Sequence, residues 1–263
     1  MLIGAMNHPA QPILGEMAWM AEMGLDFIDL TLEPPAAASW LQDPAVLRQG
    51  LADHGLQAVG HTAYYLPLAS PFAEVRAAAV HELHRCLAVF AAMGVRWMNV
   101  HPDRNIPMHD RRFVDERNVE TLAAVMARGR ELGVGVMVEN LPGDYNSAEQ
   151  LDALLRPLPE LGLHLDIGHA NLLAPPDTVD GILAAHGGRL RHVHLHDNRG
   201  GSADLHLPLG AGNVEVRRAL RALRRAGYDH TLTLEVFSPD RRLLAFSRDV
   251  LRETWAELQS SPA

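Results

Sequence analysis

Val134-Gly135-Val136-Met137-Val138-Glu139 and Leu161-Gly162-Leu163-His164-Leu165-Asp166, separated by the helix-like segment Ser147–Leu155, form the stretch whose reading decides the fold. In the first run Val134, Val136 and Val138 share one face, while Gly135, Met137 and Glu139 share the other, as the two-residue period of a strand requires. The valine face can pack under a helix, which leaves Glu139 pointing inward. Both runs end on a carboxylate. A strand, a helix and a second strand in succession call for a parallel pair.

Outward from this unit the same alternation continues in both directions. Further strand runs are Leu2–Met6, Phe27–Leu32, Leu56–His61, Val95–His101, Leu190–His196 and Thr231–Val236. Helical segments are expected over Pro12–Met23, Pro44–His54, Ala73–Met93, Val114–Leu132, Thr178–His186, Val214–Ala226 and Arg241–Leu258. Gly24, Gly55, Gly94, Gly133, Gly187 and Gly227 stand where left-handed helix caps are expected. Pro34-Pro35-Ala36 and Ala174-Pro175-Pro176 read as loops after the second and sixth strands. A (β/α)₈ barrel needs about 250 residues, and the chain has 263. The expectation is an α/β fold, a single TIM-barrel domain over 1–263 with its site at the C-terminal strand ends. An open doubly wound sheet is the second choice; its commonest nucleotide-binding form is excluded because no GxGxxG occurs.

Charge narrows the chemistry. Arg accounts for all 23 basic side chains, with no lysine, so a Schiff-base aldolase and a P-loop are excluded. The net charge of −9 argues against tight nonspecific nucleic-acid binding. Cys86 is the one cysteine, so no internal disulfide forms; a buried, inert thiol and a cytoplasmic setting are expected. No apolar run reaches the roughly 18 residues of a membrane span, and Met1–Met6 reads as a first strand.

The strand ends carry the functional signal. His61, His101, Glu139, Asp166, His194 and Glu235 place a metal-competent side chain at the ends of six of the eight strands. Carboxylates gathered in one mouth repel one another unless cations neutralise them, and mixed imidazole and carboxylate shells suit Zn²⁺ or Mn²⁺. Asp166-Ile167-Gly168-His169 and Asp204-Leu205-His206 add further donors in loops. His192, His194 and His196 share one strand face, and spacing alone does not choose among them.

Taken in order, His61…His101-Pro102…Glu139-Asn140…Asp166-x-x-His169…His194-Leu195-x-Asp197…Asp204-x-His206…Leu209-Gly210-x-Gly212-Asn213…Glu235 resembles the xylose-isomerase-like TIM barrels. Within them it resembles the branch of apurinic-site endonucleases that use three zinc ions. That resemblance implies up to three divalent cations. His61, His101 and Glu139 would hold the first. Glu139, Asp166, His194 and Glu235 would hold the second. His169, Asp204 and His206 would hold the third. It also selects His194 from the three strand-seven histidines. The chain departs from the endonuclease pattern at Glu33-Pro34-Pro35-Ala36, acidic and apolar where DNA-binding members carry basic loops.

Other residues are read more plainly. Tyr64 and Tyr65 could stack on a base or a sugar; Arg199 and Arg241 follow the seventh and eighth strands, where barrels often bind phosphate. His81 and His84, and the arginines at 217, 218, 221, 224 and 225, read as solvated helix faces. Trp97 and the methionines read as core. The leading expectation is a multi-metal phosphoester hydrolase acting on a small phosphorylated substrate. The alternative is a single-metal sugar or sugar-phosphate isomerase or epimerase that moves a proton through an enediolate with Glu139 and Glu235, His169 binding substrate. Apurinic-site cleavage and a non-catalytic ligand-sensing barrel rank lower. The expected partner is a small molecule, phosphorylated or a sugar. Neither duplex DNA nor a membrane is expected, and a homo-oligomer is compatible with the sequence.

Overall fold

The computed structural model describes residues 1–260; positions 261–263 of the expected domain lie outside the described residues. Eight parallel strands form one closed barrel in chain order, each followed by a helix. The elements are β1 (Leu2–Met6), α1 (Ile13–Glu22), β2 (Phe27–Leu32), α2 (Pro44–His54), β3 (Gln57–Thr62), α3 (Ala73–Met93), β4 (Trp97–Val100) and α4 (Arg111–Leu132). They continue with β5 (Gly135–Glu139), α5 (Ala148–Leu155), β6 (Gly162–Asp166), α6 (Thr178–His186), β7 (Leu190–Leu195), α7 (Val216–Arg225), β8 (Thr231–Leu234) and α8 (Arg241–Ser260). None of the described helices is long and apolar enough to cross a membrane.

Contacts concentrate in two compact units. One comprises Met1–Ala5, Asn140–Leu151 and the chain from Leu163 on. In it Asp166 pairs with His194 between β6 and β7, and His194 with Thr233 between β7 and β8. Its fully buried residues include Leu163, Leu165, Val193, Leu195, Leu220 and Leu232. The other unit comprises Met6–Glu139 and Asp152–Gly162. There Thr31 pairs with His61 between β2 and β3, and Val100 with Val138 between β4 and β5. Phe27, Leu30, Leu87, Phe90 and Met98 are fully buried in it. In both units, runs that are apolar on both faces become strands buried on both faces.

Local chemistry explains where the elements stop. Asp43 caps α2 by accepting from the Ala45 N–H at 2.8 Å, with Pro44 at the first helical position. Asp110 caps α4 by accepting from the Phe113 N–H at 2.9 Å. That cap starts α4 at Arg111, three residues ahead of the expected Val114. Gly24, Gly55, Gly94, Gly133 and Gly227 have positive φ. Gly187 does not: at φ −55° it opens a short 3₁₀ turn, Gly187–Arg189, so its expected role as a left-handed cap is corrected. Met108, in the loop after β4, is fully exposed, which corrects its expected place in the core. Trp97 is half-buried and fits because β5 offers Gly135 opposite it; a Cβ at Gly135 would lie 2.4 Å from the indole. Cys86 is buried as expected, and burial with the neighbouring Glu82 carboxylate pushes its thiol pKa up, which keeps it inert.

Candidate active site and metal centre

In the unit that carries β2 to β5, the donors gather on Glu139. His101, one residue past the end of β4, brings its Nε2 within 3.0 Å of Glu139 Oε2. His61 in β3 brings Nε2 within 3.7 Å of the same oxygen, and Thr31 Oγ1 lies 3.3 Å from His61 Nδ1. Asn99 Nδ2 donates to Glu139 Oε2 at 2.8 Å, which fixes the carboxylate. The His61 and His101 rings meet edge to face with centroids 5.0 Å apart. Tyr64 lies beyond them, 6.5 Å from the His101 ring, and is 71% exposed.

In the other unit the donors lie at the ends of β6, β7 and β8. Glu235 stands one residue past β8, its N–H still donating to Leu195 O at 3.1 Å. His194 Nδ1 lies 3.2 Å from Glu235 Oε2 and 4.0 Å from Asp166 Oδ2, and all three residues are buried. Two donors on one Zn²⁺ ion, each about 2.0–2.2 Å from it, stand no more than about 4.3 Å apart. The His194 cluster meets that limit, and so do the two histidine contacts of Glu139.

His192, His194 and His196 meet different partners at different levels along the chain. His192 is held at both nitrogens by threonines, Nδ1 to Thr231 Oγ1 at 2.8 Å and Nε2 to Thr233 Oγ1 at 3.0 Å. His194 faces the carboxylates. His196 Nε2 lies 3.5 Å from Asp204 Oδ1, a pairing that the sequence did not single out.

Asp204 is the centre of the third group. His169 Nε2 and His206 Nε2 each lie 3.2 Å from Asp204 Oδ2. Burial works to raise the Asp204 pKa, but the hydrogen bonds from His169 and His206 and their charges hold it well below the usual carboxylate range. Burial works to lower the His206 pKa, but Asp204, Glu235 and Asp166 outweigh it and push it up to about 9. The group therefore attracts positive charge.

The supports of these side chains are also visible. His169 is set by its own N–H donating to Asp166 Oδ1 at 2.8 Å and by Nδ1 lying 2.9 Å from Asn140 O. Asn146 Nδ2 donates to the carbonyls of His169 and Leu172, at 2.9 and 3.0 Å. Asn146 is a positioning residue that sequence reasoning missed; Asn140 was quoted there only within the motif Glu139-Asn140, with no role given to it. Arg199 is exposed, and its carbonyl accepts from Asn213 Nδ2 at 3.2 Å. Tyr65 is exposed, its pKa raised by burial first and then by Glu33. His81 is exposed and His84 half-buried, and Arg217, Arg218 and Arg225 pair with Glu257 and Asp180.

Asp197 anchors the loop that carries Asp204 and His206. Its Oδ1 accepts from the N–H groups of Asn198 (2.8 Å) and Val214 (3.0 Å), and its Oδ2 from Gly210 (2.8 Å) and Gly212 (2.9 Å). Gly212 admits no side chain, since a Cβ would lie 2.0 Å from Asn198 O. Asp197→Ala leaves these four donors without their acceptor. It is expected to destabilise the fold by about 3–5 kcal/mol, lowering the melting temperature by on the order of 10 °C. Thermal unfolding followed by circular dichroism checks this; an unchanged melt would show that water replaces the carboxylate.

Residues 17–254 match the family described as xylose isomerase-like TIM barrel. An uncharacterized protein of Methanocaldococcus jannaschii is 30% identical over 144 residues, 52% of this chain and 48% of that protein, so this match spans about half of the archaeal protein. The ketose 3-epimerase of Arthrobacter globiformis is 27% identical over 254 residues, 90% of this chain and 82% of the epimerase. Among solved structures, a D-tagatose 3-epimerase-like protein superposes with a TM-score of 0.89 at 22% identity, covering 98% of each chain. The likeness to a ketose 3-epimerase over 90% of this chain favours the isomerase or epimerase alternative over phosphoester hydrolysis.

Proposed function

Because this chain belongs to the xylose isomerase-like TIM barrel family, we propose that it is a metal-dependent epimerase or isomerase of a small ketose. The observation that carries this reading is His194 facing two buried carboxylates, Asp166 and Glu235, at spacings that one divalent cation spans. The likeness to a ketose 3-epimerase over most of the chain supports it. Asp166, His194 and Glu235 would hold the cation, with Glu139 the fourth ligand that the family resemblance implies. When bound, a Zn²⁺ or Mn²⁺ ion there would polarise the substrate carbonyl and stabilise the negative charge that develops on its oxygen.

The chain's own residues supply the proton chemistry. One carboxylate of the pair Glu139 and Glu235 takes the proton from the carbon beside the carbonyl. The other, as the acid, returns a proton to the opposite face, so the configuration inverts and no proton is lost overall. Asn99 holds the Glu139 carboxylate in place at 2.8 Å, so that the proton acceptor is oriented before substrate arrives. His169, whose Nδ1 is tied to Asn140 O, is held by its loop rather than free to turn.

The test is solvent exchange. In D₂O, the enzyme loaded with Mn²⁺ or Zn²⁺ is expected to place deuterium at the carbon beside the carbonyl of a ketose and to form its epimer. Proton NMR reads both events. Loss of the C–H signal across a pentulose and hexulose panel supports the reading; its persistence in all of them overturns it.

A further inference from the structure

A line of contacts reaches His61 from outside the candidate site. It begins at Asn7, which is buried, as is Thr31. The Asn7 side chain pairs with both backbone groups of Thr31. Its Oδ1 accepts from the Thr31 N–H at 2.7 Å, and its Nδ2 donates to the Thr31 carbonyl at 3.2 Å. A side-chain amide offers an acceptor and a donor as a peptide unit does, so Asn7 serves as one rung of a strand ladder. The rung stands where β2 is about to end: Leu32 is its last residue, and Glu33-Pro34-Pro35 follows, with two prolines that carry no N–H. The Asn7 segment is itself anchored. The next residue, His8, donates its N–H to Glu16 Oε2 at 2.8 Å, and the other Glu16 oxygen accepts from Trp19 Nε1 at 2.8 Å.

Thr31 carries this anchoring to the site. It stands opposite His61 in the register of β2 and β3, and its Oγ1 lies 3.3 Å from His61 Nδ1. The other nitrogen of the ring, Nε2, lies 3.7 Å from Glu139 Oε2. A hydroxyl donates or accepts, whereas a carboxylate only accepts. The same Oε2 takes the Asn99 N–H at 2.8 Å and has His101 Nε2 at 3.0 Å. A ring that turned a lone pair to this oxygen would set like charge density against it, and a ring that turned an N–H to it adds a donor. Thr62 supports the neighbouring donor in the same manner: its Oγ1 donates to the Asn99 carbonyl at 2.9 Å.

We propose that Asn7 and Thr31 are positioning residues for the proton-moving carboxylate Glu139. Thr31 donates its O–H to His61 Nδ1, which puts the ring hydrogen on Nε2 and aims it at Glu139 Oε2. Asn7 fixes the Thr31 backbone from which that hydroxyl projects. The cost of orienting the carboxylate is then met on folding, before substrate binds. This rests on the epimerase reading, in which one cation sits with Asp166, His194 and Glu235 and His61 faces Glu139 directly.

The test follows the His61 ring by proton–nitrogen NMR in the Zn²⁺-loaded protein, its signals assigned by their loss in His61→Ala, beside steady-state kinetics on a ketose. The wild type is expected to hold His61 in one form, with the hydrogen on Nε2. Thr31→Val has the same shape without the hydroxyl. It is expected to lose that single form and to lower kcat by about 10–100-fold with KM little changed, as a misplaced catalytic group does. Thr31→Ser is expected to restore both. Asn7→Ala is expected to act in the same direction and to lower the melting temperature, since two buried backbone groups lose their partners. In a His61→Ala background Thr31→Val is expected to cost nothing further in kcat, whereas a loss through packing alone would add. A hydrogen on Nδ1 in the wild type, a ring form unmoved in Thr31→Val, or additive losses in the double variant overturn the proposal. Deuterium exchange on the wild type reports separately on the epimerase reading. Its absence from every ketose, with His61 in the expected form, sinks that reading and not the His61 orientation; its presence with the hydrogen on Nδ1 sinks the orientation alone.

Discussion

Glu235→Gln is expected to lower ketose turnover by about 10³-fold or more, since general base catalysis alone contributes roughly 10²–10⁴-fold and, on the proposed reading, the same carboxylate would also hold the metal. The amide keeps the shape of the side chain but cannot accept a proton, and it offers the cation a neutral oxygen in place of a charged one. His194 Nδ1, 3.2 Å from Glu235 Oε2, would then face an uncharged group. Metal content at this centre is expected to fall along with turnover, read by elemental analysis beside an epimer assay by chromatography. Glu139→Gln is expected to act similarly, because its Oε2 is the shared contact of Asn99, His101 and His61. Deuterium exchange separates the two glutamates: the variant that loses the abstracting base for one epimer keeps slow exchange starting from the other. A Glu235→Gln enzyme with full metal and undiminished turnover would remove this residue from the chemistry.

The fold was legible because each level of the chain agrees with the next. Strand-like runs and amphipathic segments alternate eight times, six of the helical segments are followed by a glycine, and α2, α3 and α6 keep their expected bounds. The differences come from local capping and backbone hydrogen bonds that hydrophobic periodicity does not register. Asp110 starts α4 one turn early by capping it, and Gly187 continues into a 3₁₀ turn where a left-handed cap was expected. At the site, which side chains meet one another was only partly legible. Alternation along β7 puts His192, His194 and His196 on one face, but partners are set by strand register. His192 meets Thr231 and Thr233, His194 meets Glu235 and Asp166, and His196 meets Asp204. Spacing named His196 as a face-mate of His194 but could not give its partners, because its seat depends on the missing side chain of Gly168.

Substrate class gives the second large effect. The wild type is expected to interconvert at least one ketose and to leave a panel of phosphomonoesters and phosphodiesters uncleaved. A phosphoryl group in transfer carries several negative charges and is stabilised by two or more cations or by arginine clamps. The groups around His194 and Asp204 supply carboxylates and imidazoles, while Arg199 is exposed. A neutral ketose develops a single negative charge, which one cation answers. The discriminating variant is His101→Ala. Its Nε2 lies 3.0 Å from Glu139 Oε2, so on the epimerase reading it tunes that carboxylate. Loss of such a neighbour costs about 10–100-fold, with the chemistry unchanged in kind. On the hydrolase reading His101 holds a cation that the reaction cannot do without, and its removal abolishes phosphoester cleavage while ketose turnover was never present. Measuring both activities in wild type and His101→Ala therefore gives opposite patterns: ketose turnover that is reduced but retained, with silent phosphoesters, or phosphoester cleavage present in the wild type and gone in the variant. The second pattern would return this barrel to phosphoester hydrolysis. The first is expected, because two buried carboxylates face His194 and the ketose 3-epimerase is similar to this chain over 90% of its length.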